Sequence, residues 1–227
     1  MARLAPALRE VADALVDVTA LQAVPTGTLR LNVPRPAAWL VLAPLLARFV
    51  AKYPCVKVEV VTDDGLADIV DSGFDAGIRF GESLAGDMVA VPVGPPQRFV
   101  CVAAPSYLKL HGEPKSPDEL LDHACICRRF PGGRHYHWEF LVSGKPLAVT
   151  ASGPLVFDDD MLMIQAARDG AGIAYVYEAM VSEEVNAGRL VSVLDGFSAL
   201  PGRFFLYYAG RRNLPTALRA FVDFIRQ

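Results

Sequence analysis

The chain has 227 residues, 52% of them hydrophobic, with 22 Lys and Arg against 25 Asp and Glu and a formal net charge of −3. That apolar share can fill a substantial core, which excludes an intrinsically disordered chain, and the length suits one large domain or two small lobes. The acidic balance argues against a polypeptide that itself grips nucleic acid, leaving Arg128-Arg129 and Arg211-Arg212 as local exceptions.

Residues 1–23 read as a helix. Leu4, Leu8, Val11, Leu15 and Val18 step by four and three, a heptad stripe that must be buried, either on the chain's own body or on a second copy. Arg3, Arg9, Glu10, Asp13 and Asp17 interrupt the apolar run that a signal peptide needs, so the expected location is cytoplasmic. No run is long and apolar enough for a transmembrane helix. Cys55, Cys101, Cys125 and Cys127 are then expected reduced and buried. Cys125-Ile126-Cys127 has the spacing of neither a redox pair nor a zinc half-site, and on a strand both thiols would face one way.

Residues 26–33 alternate as a strand, and Pro34-Arg35-Pro36 breaks it. Trp39, Leu40, Leu42, Leu45, Leu46, Phe49 and Val50 then run along a helix to Tyr53-Pro54. Residues 57–81 read as strand, turn, short helix and strand. Val58, Val60 and Val61 are β-branched; Thr62-Asp63-Asp64-Gly65 are turn formers; Leu66, Ile69 and Val70 fall at helical spacing. Two strands joined by a helix run parallel, and ligands of open parallel sheets bind beyond the strands' carboxyl ends. That puts Thr62, Asp63 and Asp64 at a ligand mouth, with Phe80 and Gly81 at the next strand end. The alternative is that Thr62 and Asp63 only cap the helix.

Residues 88–93 form a further strand, and Pro95-Pro96 reads as a stiff crossover between lobes. Residues 98–103 form the next strand, and Ser116-Pro117-Asp118-Glu119 opens a helix. A strand over 125–128 leads into a loop, 129–136. His135 and His137 have no third ligand at suitable spacing, so no metal is expected. Residues 138–142 and 146–150 flank Ser143-Gly144-Lys145 as a hairpin, and 153–157 form another strand. Asp158-Asp159-Asp160 invite a hard cation, but capping of the helix over 161–168 explains them with less. Gly170-Ala171-Gly172 follows a helix and precedes a strand, so it is no dinucleotide fingerprint. A helix over 180–187, a strand over 188–194, a crossover at Pro201-Gly202, a strand over 204–208 and a last helix bearing Leu218, Phe221, Val222 and Ile225 complete the chain. Ser106, Ser116 and Ser143 have no nucleophile-elbow motif; no catalytic residue and no enzyme activity are expected.

Several of these stretches resemble one family in collinear order. LRLNVP with LAPLLARFVAKYP, VEVVTDDGLADIVDSGFDAGIRFG, RFVCVAAPSYLKLHGEPKSPDELLDHACI, GPLVFDDDMLMIQAARDGAGIAYV and LYYAGRRNLPTALRAFVDFIR look like the effector-binding domain of LysR-type transcriptional regulators. The resemblance implies an α/β fold of two Rossmann-like lobes, type 2 periplasmic-binding-protein-like, preceded by an amphipathic linker helix. Residues 1–25 would be that linker and dimerisation helix; 26–94 with 203–227 would form the first lobe and 95–202 the second. It further implies a homodimer or tetramer paired through Leu4, Leu8, Val11, Leu15 and Val18. DNA would be bound only through a winged helix-turn-helix, which does not precede Met1, so the chain as given is not expected to recognise an operator.

The implied partner is a small-molecule effector held between the lobes, without cofactor or membrane. Relatives contact it from the turn after the first strand, which here offers Pro34 and Arg35 but no hydroxyl. Arg35 is then either an anion partner or simply solvated. The segment after the strand over 125–128 faces the cleft, which adds Arg128, Phe130, Arg134 and Tyr136; Asp158 and Asp159 border it. With Thr62, Asp63, Asp64 and Phe80 these make the expected contact set. Aromatic and cationic groups suit a carboxylated, aromatic metabolite, while the acids leave an amine-bearing or zwitterionic one an equal fit. A solute-binding protein of a transporter, with the same fold, is the alternative function.

Overall fold

The computed structural model describes residues 24–65, 73–81, 88–210 and 214–227. The expected helix over 1–23 with its Leu4, Leu8, Val11, Leu15 and Val18 stripe, the short helix carrying Leu66, Ile69 and Val70, and Arg211-Arg212 lie outside the described residues.

Strand β1 (Gly27–Val33) buries Leu29, Leu31 and Val33 and is an inner strand, next to one edge, of a five-stranded first sheet. The helical stretch after it has three parts: an α-turn Arg35–Ala37, a π-turn Ala38–Leu42, and helix α1 (Ala43–Lys52). Its apolar stripe is narrower than the spacing implied. Val41, Leu42 and Phe49 are buried, but Trp39 and Val50 are 67% and 43% exposed, because the π-turn resets the helical phase between them. Strands β2 (Val56–Thr62) and β3 (Ala76–Phe80) both pair with β1 in parallel, on opposite sides. Cys55, expected to be buried, is exposed in the surface turn before β2.

Strand β4 (Met88–Gln97) does not stop before Pro95-Pro96 but runs through both prolines. It is the outermost strand in the order β2-β1-β3-β12-β4, so residues without an N–H are tolerated on its unpaired side. The crossover is therefore Arg98 alone, since β5 (Phe99–Ala103) begins the second sheet immediately afterwards.

That sheet has the order β11-β5-β10-β6-β9. It is built from β5, helix α2 (Pro105–His111), β6 (Cys125–Arg128), β9 (Leu155–Phe157), helix α3 (Asp160–Arg168), β10 (Ile173–Tyr177), helix α4 (Glu178–Asn186) and β11 (Val191–Val193). The helix expected at Ser116 is one short 3-10 segment, Pro117–Asp122, closed by bonds from Glu119 N to Ser116 O and from His123 N to Leu120 O. The strand expected over 188–194 shrinks to three residues. Between β6 and β9 stands the hairpin of β7 (Trp138–Val142) and β8 (Lys145–Val149). Its turn holds Ser143 and Gly144 at φ of 51° and 75°, as a two-residue turn with both φ values positive requires. The chain returns to the first sheet through β12 (Gly202–Ala209), antiparallel to β3 and β4, and ends in helix α5 (Thr216–Ile225).

Strand alternation divides the second sheet's two faces cleanly. Cys101, Ala103, Cys125, Cys127, Ile173 and Tyr175 pack with Trp138 and Phe140 of the hairpin, so the thiols of Cys125 and Cys127 do share a face. Val100, Val102, Ile126, Ala174 and Val176 pack on the other side against Met163 and Ala167 of α3 and Val181 of α4. Burial pushes the Cys125 thiol up to about 12 and raises Cys101 and Cys127 as well, which keeps all three protonated and unreactive. The first sheet is covered by α1 and α5, whose Phe49, Phe221 and Phe224 rings meet edge to face at 5.0 and 5.5 Å. Among the described residues no helix is long and apolar enough to cross a membrane.

Phe49 is fully buried and touches both helices of that layer. Phe49→Ala should cost about 3–5 kcal/mol, read as a lower urea midpoint at unchanged slope. An unchanged midpoint would show that this layer does not hold the first sheet.

Candidate functional site

The carboxyl ends of β1 and β3 meet the second sheet across a cavity of about 340 Å³. The first sheet contributes Pro34, Pro36, Asp64, Arg79, Phe80, Gly81 and Phe204; the second contributes Phe99, Arg128, Phe130, Arg134, Tyr136, Glu139 and Tyr177. A run of rings forms one wall and passes from sheet to sheet. Phe204 meets Phe80 at 5.1 Å, Phe80 meets Tyr177 at 5.7 Å, Tyr177 meets Phe99 at 4.1 Å, and Phe99 stacks on Tyr175 at 4.9 Å. Tyr136 stacks on Phe99 at 5.4 Å. Burial raises the Tyr136, Tyr175 and Tyr177 hydroxyls, so this wall stays neutral.

Charges bridge the two sheets beside the rings. The Asp64 side chain is 2% exposed, and its Oδ1 accepts from the Arg35 backbone N–H at 2.9 Å. Its Oδ2 lies 3.7 Å from both the Arg35 and the Arg128 guanidinium. Arg35 also reaches Asp159 at 3.2 Å and Asp158 at 3.7 Å, at the start of α3. Arg128, at the end of β6, holds Asp160 at 2.9 Å. Of the three acids expected to cap this helix, Asp159 does so, accepting from Leu162 N at 3.1 Å, and it pairs across the cleft with Arg35 as well. Burial pushes the Asp160 carboxyl up to about 6; Arg128 pulls it down, while Asp64 and Asp159 add to the rise.

Arg79 of β3 is held differently. It is 6% exposed, and its terminal nitrogens donate to the Ile78 carbonyl, Asn32 Oδ1 and the Gly65 carbonyl, each at 2.7 Å. Its Nε and that of Arg128 are buried without an acceptor.

Of the residues chosen from the sequence, Pro34, Asp64, Phe80, Arg128, Phe130, Arg134 and Tyr136 line the cavity. Phe130 lies between the Arg128 and Arg134 guanidiniums, at 5.3 and 5.2 Å. Arg35, Asp158 and Asp159 form the ion pairs just described. Thr62 and Asp63 lie apart from the cavity lining. Thr62 is exposed on β2, the outer strand, and Asp63 Oδ1 accepts from Gly65 N at 2.8 Å within the turn. Arg79, Asp160, Phe99 and Tyr177 were missed. Arg79 alone carried a signal, a charged residue inside the apolar strand AGIRF.

The Asp160 shift has a stability consequence. The folded state holds this proton more tightly than the unfolded chain, so the group favours folding below about pH 4, and that contribution is lost as pH rises through about 6. Wild type should lose on the order of 2–3 kcal/mol relative to Asp160→Asn between pH 4 and pH 7 in urea denaturation. Parallel pH profiles would refute the assignment.

Comparison with known proteins agrees with this geometry. Residues 22–227 match the LysR substrate binding domain family. YcaN of Escherichia coli (strain K12), an uncharacterized HTH-type transcriptional regulator, is 38% identical over 224 residues, which cover 99% of this chain and 73% of YcaN. The HTH-type transcriptional regulator PgrR of the same organism is 33% identical, over 97% of this chain and 74% of PgrR. The structure of CrgA, a LysR-type regulator from Neisseria meningitidis, superposes with a TM-score of 0.77 at 26% identity, over 98% of this chain and 75% of CrgA. The AphB regulatory domain of Vibrio vulnificus shares the fold, with a TM-score of 0.75 at 24% identity, over 88% of this chain and 98% of that domain. A LysR substrate-binding domain of the type 2 periplasmic-binding-protein-like fold, the chain belongs to the LysR-type transcriptional regulators and serves effector-binding regulation.

Proposed function

We propose that the cavity between the two sheets is the effector site, and that two lobes settle around a small metabolite: residues 26–94 with 203–227, extended by 95–97 and 202 through β4 and β12, and the rest of 95–202. The observation that carries this reading is the placement of Asp64 between Arg35 and Arg128, with Arg35 also tied to Asp158 and Asp159. The opposing walls of the cavity thus share one set of charges, which a bound ligand would meet at Asp64 and Arg128. Pro34, Phe80, Phe130, Arg134 and Tyr136 would contact the ligand; Arg35, Asp158 and Asp159 would set the spacing of the lobes. Thr62 and Asp63 are left out of the contact set on their positions.

The mechanism is a population shift. An effector changes the regulator only by binding one lobe arrangement better than another, typically by about 1–3 kcal/mol. That difference would pass to a winged helix-turn-helix in the intact regulator, and the ligand would leave chemically unchanged. The heptad spacing of Leu4, Leu8, Val11, Leu15 and Val18 supports a pairing of two copies through that segment. The relatives described above are transcriptional regulators, and they favour a sensor over a transport protein of the same fold.

A thermal-shift screen of metabolites should find a stabilising ligand, worth about 2.7 kcal/mol at 100 times its dissociation constant, whose effect is reduced by Tyr136→Ala. Silence across a broad library, or hits indifferent to that change, would overturn the site. Sedimentation should separate a wild-type dimer from a monomeric Leu8→Asp, Leu15→Asp double variant; a wild type already monomeric would refute the pairing.

A further inference from the structure

We infer that Arg79 is the anion anchor of the cleft, and that the effector is a planar monocarboxylate whose single charge neutralises it. This rests on reading the cavity as the effector site and names the class of ligand that site takes.

Of the acids around the cavity, Glu139 is exposed to solvent and the others are already paired. Asp64, Asp158 and Asp159 surround Arg35, and Asp160 with Asp64 meets Arg128. A ligand amine would have to break one of those pairs or be met by the solvated Glu139. Arg79 is the opposite case. It lines the cavity, it is buried, and its three acceptors are two carbonyls and an amide oxygen, none of which carries charge. Among the described residues no carboxylate stands within ion-pairing distance of it. A buried cation is costly without a counter-charge, and three neutral hydrogen bonds fix its position without neutralising it. The Tyr207 ring under the guanidinium, 5.7 Å from its centre, fixes it further. The result is a cation held in place by neutral oxygens, with both Nη2 hydrogens in use and Nε still without an acceptor, so a carboxylate would meet it through single hydrogen bonds and charge rather than through a two-pronged fork.

Arg128 sets the other end of the ligand. Its charge is met by Asp160 and Asp64, yet its Nε is also buried without an acceptor in the same cavity. That donor calls for a neutral oxygen, a hydroxyl or carbonyl, rather than a second carboxylate. Between the two arginines the wall is formed by the rings of Phe80, Phe99 and Tyr177, which favours a flat apolar body of modest size. Such a ligand would join β3 of the first sheet to β6 of the second, which is what an effector must do to bias the lobes.

The test is calorimetric titration of the 227-residue protein with benzoate, 4-hydroxybenzoate, 4-hydroxyphenylacetate and indole-3-acetate, and with the primary amide of each. At least one acid should bind at least tenfold more tightly than its amide. Arg79→Gln should abolish that preference, Arg79→Lys should weaken it, and Tyr136→Ala should weaken acid and amide alike. Equal binding of acid and amide, acid binding untouched by Arg79→Gln, or no acid bound at millimolar concentration each overturns the anchor. In those cases a neutral or cationic ligand from the thermal-shift screen that is lost in Tyr136→Ala would still uphold the cleft as the effector site. Should Arg79→Gln fail to fold, the acid-to-amide ratio on wild type and its change in Arg79→Lys decide the question.

Discussion

One carboxylate, that of Asp64, organises the interface between the two sheets. It is buried, it accepts the Arg35 backbone N–H from the turn after β1, and it stands between two guanidiniums that belong to different sheets. Removing one partner of such a buried pair typically costs about 3–5 kcal/mol, because the other charge is left uncompensated, whereas the intact pair adds little over an apolar substitute. A network of this kind is therefore better understood as a device for spacing and register than as a source of stability. It ties the turn after β1, the end of β6 and the start of α3 into one arrangement.

The aromatic run beside it supplies the complementary property. Phe204, Phe80, Tyr177, Phe99 and Tyr175 pass from one sheet to the other by ring contacts of 4.1 to 5.7 Å. Such pairs prefer offset-stacked or edge-to-face arrangements, and both kinds occur along this run. Charges and rings thus span the cleft side by side, each joining the first sheet to the second. Behind them, strand alternation in the second sheet buries Val100 and Val102 on one face and Cys101 and Ala103 on the other.

Local chemistry was legible where it repeats. Valine-rich strands, the Ser143-Gly144 hairpin and the Asp159 cap of α3 all follow from period, turn residues and capping. The edges of elements were less legible. Pro95-Pro96 reads as a stiff crossover between lobes, but it lies within an outer strand, where residues without an N–H are tolerated, and only sheet order reveals that. Trp39 and Val50 were assigned to an apolar stripe that a π-turn rephases.

The sequence by itself determined the alternation of strands and helices, the family resemblance, and most of the polar and aromatic residues that line the cavity. Only the tertiary structure decided which of them work together. Asp64 and Asp160 became partners of Arg128, Thr62 was left on an outer strand, and Arg79 emerged as a buried cation held by neutral oxygens. The physical reason is that period and propensity act between near neighbours in the chain, whereas the compensation of a charge depends on groups brought together from distant strands. Asn32 and Arg79 are 47 positions apart, and Arg128 and Asp160 are 32.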